Sequence, residues 1–129
     1  MRVLFVEDNA TNRRVVYEML TAGGIEMDEA EDGIEGLEAI EAGEHDLILM
    51  DLRMPRMDGL TAIRALRARD DAKAKLPVIV ITADAGSTIR ADCMAAGADE
   101  MILKPVVMQD LYAAIGTLLA SGDGDVVLA

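Results

Sequence analysis

The sequence predicts a doubly wound α/β domain built on a five-stranded parallel sheet, and three observations carry that prediction. Short apolar, β-rich runs alternate along the chain with segments whose apolar residues recur at helical spacing. Most of these runs are continuously apolar, as strands covered on both faces are. Four of the five end on a side chain able to do chemistry: an acid, a threonine or a lysine. Parallel crossovers are right-handed and need a helix to return, so regular alternation fits a sheet with helices on both faces.

The first run, RVLFV at residues 2–6, ends in Glu7 and Asp8. Residues 10–20 then place Val15, Val16, Met19 and Leu20 on one helical face, with Asp8 or Asn9 as cap and Gly23 and Gly24 as stop. Residues 25–30 (IEMDEA) alternate apolar and acidic positions, the pattern of a strand near a sheet edge. Ile34, Leu37 and Ile40 mark a second helix ending near Gly43. The third strand, LILM at residues 47–50, stops at Asp51 and is followed by Pro55 and Gly59. Asp58 caps a third helix through Leu60, Ile63 and Leu66, whose Arg64, Arg67 and Arg69 read as a solvated basic face. Pro77 opens VIVIT, which ends at Thr82. Residues 87–96 form an Ala-rich helix with a weak apolar face, expected to dock loosely and to close at Gly97. Met101, Ile102 and Leu103 make the fifth strand, ending at Lys104. Met108, Leu111, Tyr112, Ile115, Leu118 and Leu119 give the clearest helical stripe. The expected arrangement is flavodoxin-like, (βα)5 with strand order 2-1-3-4-5, which brings Glu7, Asp8, Asp51, Thr82 and Lys104 to one rim.

The chain has 129 residues, the size of one domain. No run is long and apolar enough to span a membrane, and residues 1–9 do not read as a secretory signal, so a cytoplasmic protein is expected. Cys93 reads as a small buried hydrophobe. A net charge of −12 argues against direct binding of nucleic acid, which needs a basic face, and favours cations or basic partner surfaces. With two tyrosines, one phenylalanine and no tryptophan, the chain offers no platform for a flavin ring. Carboxylates converging at a strand-end crevice repel one another unless a cation lies among them. Oxygen ligands alone point to Mg²⁺, with Mn²⁺ as a substitute. The lone His45, at the opposite end of the sheet, reads as a surface residue, and zinc is not expected. A carboxylate, a hydroxyl and an ammonium group around a divalent cation suit phosphoryl transfer. Asp51 can attack in line, while Thr82, Lys104 and the metal neutralise the equatorial oxygens.

At four places the chain resembles the receiver domain of two-component response regulators: Glu7-Asp8, residues 49–59 (LMDLRMPRMDG), Thr82-Ala83 and Lys104-Pro105. The resemblance covers residues 2–120. It implies a receiver at residues 1–120 followed by a flexible tail or the start of a linker at 121–129. It also implies that Asp51 is the phosphoacceptor, Asp8 a direct Mg²⁺ ligand, Glu7 a ligand through water and the Arg53 carbonyl a further ligand. Lys104 and Ala83 would serve the phosphoryl oxygens, Thr82 would act as the switch hydroxyl, and the Lys104–Pro105 peptide would be cis. The implied partners are a sensor histidine kinase or a histidine phosphotransferase, and a downstream protein target. The donor would dock near Asn12, Arg13 and Arg14. A monomer or a weak phosphorylation-dependent dimer is expected, without nucleic acid or membrane. VEDNATNRR resembles receivers of hybrid kinases, while the position of Met1 favours a stand-alone receiver.

Two departures stand out. Met101 occupies a strand-5 position that is often aromatic, and it cannot report the switch by a ring flip. Arg53 and Asp84 carry opposite charges at positions that commonly tune phosphate lifetime, and pairing there would hinder an attacking water. Among rival readings, a flavin binder conflicts with acids after strand 1, which repel a phosphate. A Mg²⁺-dependent aspartyl phosphatase typically has Asp-x-Asp at that point, whereas Ala10 stands two residues after Asp8. A phosphorylation-independent interaction module would usually have lost one of the key residues.

Overall fold

In the computed structural model, which describes residues 1–121, the sheet has five parallel strands in the order β2-β1-β3-β4-β5. The chain runs β1 (Arg2–Val6), α1 (Ala10–Ala22), β2 (Glu26–Ala30), α2 (Gly33–Ala42), β3 (Leu47–Asp51) and α3 (Gly59–Arg67). A 3₁₀ turn (Ala72–Lys75) leads into β4 (Val78–Thr82), α4 (Ile89–Ala96), β5 (Glu100–Leu103) and α5 (Met108–Ser121). Of residues 121–129, expected as tail or linker, Ser121 is the last residue of α5 and 122–129 lie outside the described residues. No helix among those described is long and apolar enough to cross a membrane.

Side chains alternate between the faces of a strand, and each of the three inner strands feeds two cores. Leu4, Val6, Ile48, Met50, Val78 and Val80 face α2, α3 and α4. Val3, Phe5, Leu47, Leu49, Ile79 and Ile81 face α1 and α5. All of them are essentially inaccessible to solvent, each burial contributing about 1.5–3 kcal/mol before conformational entropy is set against it. β2, at the edge, buries only Ala30 fully; Glu26 and Glu29 are exposed, while Asp28 is half-buried.

Asn9, Asp32 and Asp58 cap α1, α2 and α3, each accepting from the amide three residues on. α4 starts at Ile89, two residues later than its spacing suggests, and fully buries only Cys93 and Ala96. It ends at Gly97 in the left-handed region, φ +116°, where a Cβ would also strike the Arg67 side chain.

Two sequence expectations need correction. Arg67 is not solvated. Its guanidinium donates to the carbonyls of Gly97, Ala74 and Leu76 and pairs with Asp99 at 3.0 Å, fastening α3 to the segments on either side of β4 and α4. Arg69 pairs with Asp71 and Glu41. His45 is not a surface residue either. Its side chain is 2% exposed, packs against Gly43 and bonds through Nε2 to Asp28 at 2.8 Å. The loop before β3 turns the ring inward, an outcome set by tertiary packing that no local pattern signals. Cys93 is fully buried, as expected.

Candidate functional site

Because β1, β3, β4 and β5 are adjacent and parallel, the residues that follow them converge at the carboxyl rim of the sheet. Glu7, Asp8, Asn12, Asp51, Arg53, Thr82, Ala83 and Lys104 line one crevice of about 330 Å³. Within it, Glu7, Asp8 and Asp51 each offer a carboxylate oxygen, and the three oxygens lie within 4.8 Å of one another. Glu7 and Asp51 are buried whereas Asp8 is exposed. The Lys104 ammonium bridges the buried pair, 2.8 Å from Glu7 Oε1 and 3.2 Å from Asp51 Oδ1. Its peptide bond to Pro105 is cis.

One ammonium cannot neutralise three acids. Burial and the neighbouring Glu7 push Asp51 up to about 6, and the same two causes raise Asp8. Burial is the largest single influence on Glu7 and works against its ionised form, but the bond and charge of Lys104, together with hydrogen bonding to Asp51 and Asp8, outweigh it and hold Glu7 below the usual carboxylate range. Lys104 is itself disfavoured by burial, yet the two carboxylates raise it above an ordinary lysine. Glu7 thus keeps its charge to lower pH than Asp51 does. A hard divalent cation satisfies the remaining charge, and an all-oxygen donor set with two buried carboxylates and an open, wet side fits Mg²⁺.

Thr82 ends β4, buried, its Oγ1 accepting from the Asp84 amide at 3.0 Å. Asp84 accepts from the Gly86 amide through Oδ1 and pairs through Oδ2 with Arg53 at 3.0 Å, so the two opposite charges at the site mouth are joined. Met101 is half-buried in β5 against the α2–α4 core.

Asn12 and Arg13, on the part of α1 where a donor is expected to dock, also make contacts at the site. Asn12 Nδ2 donates to Glu7 Oε1 at 3.1 Å, and Arg13 donates to the Glu7 carbonyl and pairs with Glu29. Helical spacing from the Asn9 cap would have turned Asn12 back toward Glu7. Arg14 is exposed and pairs with Glu18.

A family model described as the response regulator receiver domain matches residues 3–116. Among curated proteins, the chain is 36% identical over 119 residues to the response regulator MprA of Mycobacterium leprae, covering 92% of this chain and 51% of that one. It is 37% identical over 113 residues to hybrid signal transduction histidine kinase G of Dictyostelium discoideum, covering 86% of this chain and 3% of the kinase. The chain therefore spans about half, or far less, of these relatives. Among solved structures, it resembles the receiver domain of sensor histidine kinase PA1611 from Pseudomonas aeruginosa PAO1, which has a magnesium ion coordinated in its active site cleft. The TM-score is 0.82 at 34% identity, over 90% of this chain and 94% of that one. The Vibrio cholerae chemotaxis protein CheY4 gives a TM-score of 0.84 at 28% identity, over 92% and 98%.

Proposed function

The chain belongs to the response regulator receiver domain family, and from that premise we propose that it accepts a phosphoryl group on Asp51 from a phosphohistidine in a two-component or phosphorelay pathway. The observation that carries this reading is the convergence of Glu7, Asp8 and Asp51 around a lysine-bridged crevice. Asp8, Asp51 and the Arg53 carbonyl would hold Mg²⁺ directly and Glu7 through water. The ion supplies charge neutralisation for the phosphoryl oxygens. An Asp51 carboxylate oxygen attacks phosphorus in line, the P–N bond of the donor breaks and its electron pair stays on the imidazole. Lys104 and the Ala83 amide stabilise the equatorial oxygens. The product is an acyl phosphate, labile and suited to a transient signal.

Thr82 would carry the signal outward. Its hydroxyl accepts the Asp84 amide, so turning toward a phosphoryl group on Asp51 draws on the segment before α4. Met101 would repack rather than flip, changing the surface offered to a protein target.

The test is intact mass after incubation with acetyl phosphate and Mg²⁺. Wild type gains one phosphoryl group, while Asp51→Asn and an EDTA-treated sample gain none. A wild-type protein that stays unmodified favours an interaction module independent of phosphorylation, and steady release of phosphate from an added phosphomonoester favours a phosphatase.

A further inference from the structure

Between β3 and α3 the chain makes a tight three-residue turn. The Met57 N–H donates to the Pro55 carbonyl at 2.6 Å, and Arg56 at its centre has φ +63°. An arginine rarely occupies this left-handed region, because its Cβ crowds the following carbonyl. Such conformations persist where the surroundings over-determine them, and they concentrate at functional sites.

Here the surroundings are the N-terminus of α2. Arg56 Nε donates to Asp32 Oδ2 at 2.7 Å, and its NH2 lies 3.8 Å from Glu35. The Asp32 side chain is 6% exposed, and its other oxygen accepts from the Glu35 amide at 2.9 Å. The Gly33 N–H, one of the first-turn amides that no helical carbonyl can satisfy, donates to the Met57 carbonyl at 3.0 Å. A Cβ on Gly33 would collide with Met57, so this approach requires glycine. At the base of the loop, the Gly59 N–H donates to the Leu52 carbonyl at 2.9 Å. Residues 53–57 are therefore closed off at the base and held at their outer turn by α2.

We propose that Arg56 and Asp32 are positioning residues for the divalent cation of the Asp51 site. By clamping the turn, they keep the backbone of Arg53, a crevice-lining residue three before Arg56, where its carbonyl would complete the carboxylate set. The inference rests on the receiver reading above, which supplies the cation. Neither side chain touches the metal or the phosphoryl group, and both act through the loop.

The variants separate this role from a merely structural one. Arg56→Gly keeps the left-handed backbone and removes the guanidinium. Asp32→Asn keeps a capping oxygen and removes the charge, and Arg56→Lys keeps the charge without the planar fork. Calorimetric titration with Mg²⁺ at a temperature where each variant is folded gives the affinity. Melting in EDTA gives the stability, and acetyl phosphate incorporation the reactivity.

The expected result is Mg²⁺ affinity weakened roughly tenfold in Arg56→Gly and in Asp32→Asn, the size usual for outer-shell partners of a metal ligand. Arg56→Lys falls between, and the double variant is no weaker than the weaker single, because both changes break one pair. Saturating Mg²⁺ returns phosphoryl incorporation to near the wild-type rate. Lowered melting with unchanged Mg²⁺ affinity overturns the proposal, and so do fully additive losses in the double variant. A wild type that binds no Mg²⁺ and takes no phosphoryl group brings down the receiver reading with it. A reactive wild type beside unaffected variants brings down this inference alone.

Discussion

Asp51 faces two demands at the scale of one residue: the proposed attack needs an ionised carboxylate, and its surroundings hold its proton more tightly than those of an ordinary aspartate. Its folded value, about 6, stands above the ordinary 3.8. In the metal-free protein, its contribution to stability is therefore complete below the ordinary value and lost as pH rises through about 6. Mg²⁺ competes with that same proton. Affinity for Mg²⁺ should fall as pH drops through about 6, approaching tenfold per pH unit well below it, and isothermal titration across that range measures this. A flat profile would count against Asp51 as a ligand. The Arg53–Asp84 pair poses a different question, because the Arg53 side chain is 82% exposed and such pairs contribute little energy. Under the proposed function, what it would contribute is cover over the site mouth. Arg53→Ala should speed loss of the phosphoryl group a few-fold at most, followed by the decay of the phosphorylated mass. An unchanged rate would leave the pair as surface decoration.

Among the elements, the connections matter as much as the strands. Arg67 joins α3 to three backbone carbonyls and to Asp99, which also accepts from the Val78 amide at the start of β4. Arg67→Met retains much of the aliphatic packing but strands those carbonyls. It should cost about 2–4 kcal/mol, read from urea denaturation. A loss under about 0.5 kcal/mol would mean that water replaces the guanidinium freely. Arg67 stands four residues after Ile63 and seven after Leu60, so helical spacing sets it beside the apolar stripe of α3, but the carbonyls of Gly97, Ala74 and Leu76 come from other segments that no local pattern names. His45 escaped for the same reason, its burial being decided by Gly43 and by Asp28 on β2. By contrast, the inner strands were legible residue by residue, because burial on both faces demands continuous apolar runs and leaves the terminal Asp51, Thr82 and Lys104 conspicuous. β2 was legible for the opposite reason, since its acids alternate at an edge. The Arg56–Asp32 contact joins residues from separate elements through an unusual backbone angle, which a sequence does not display.

For the molecule as a whole, excess negative charge and an acidic crevice act in the same direction. Twenty-four acidic residues against 12 basic ones repel one another in the compact state, most strongly at the rim where three carboxylates meet. A cation bound there stabilises the fold by linkage. At a hundredfold excess over its dissociation constant, Mg²⁺ should add about 2.7 kcal/mol and raise Tm by roughly 5–10 °C in differential scanning calorimetry. In Asp51→Asn most of that rise should vanish, and an equal rise there would place the binding elsewhere. Two helices flanking the rim are tied together as well: the Tyr112 hydroxyl, early in α5, donates to the Met19 carbonyl near the end of α1 at 2.7 Å. The chain has no tryptophan, and its other tyrosine, Tyr17, is exposed. Neither phenol lines the crevice, so intrinsic ultraviolet emission should gauge whether α1 and α5 are still joined and should respond little to the proposed phosphoryl transfer. Unfolding and signalling in this protein therefore call for different optical channels, the native tyrosines for the first and an introduced dye for the second.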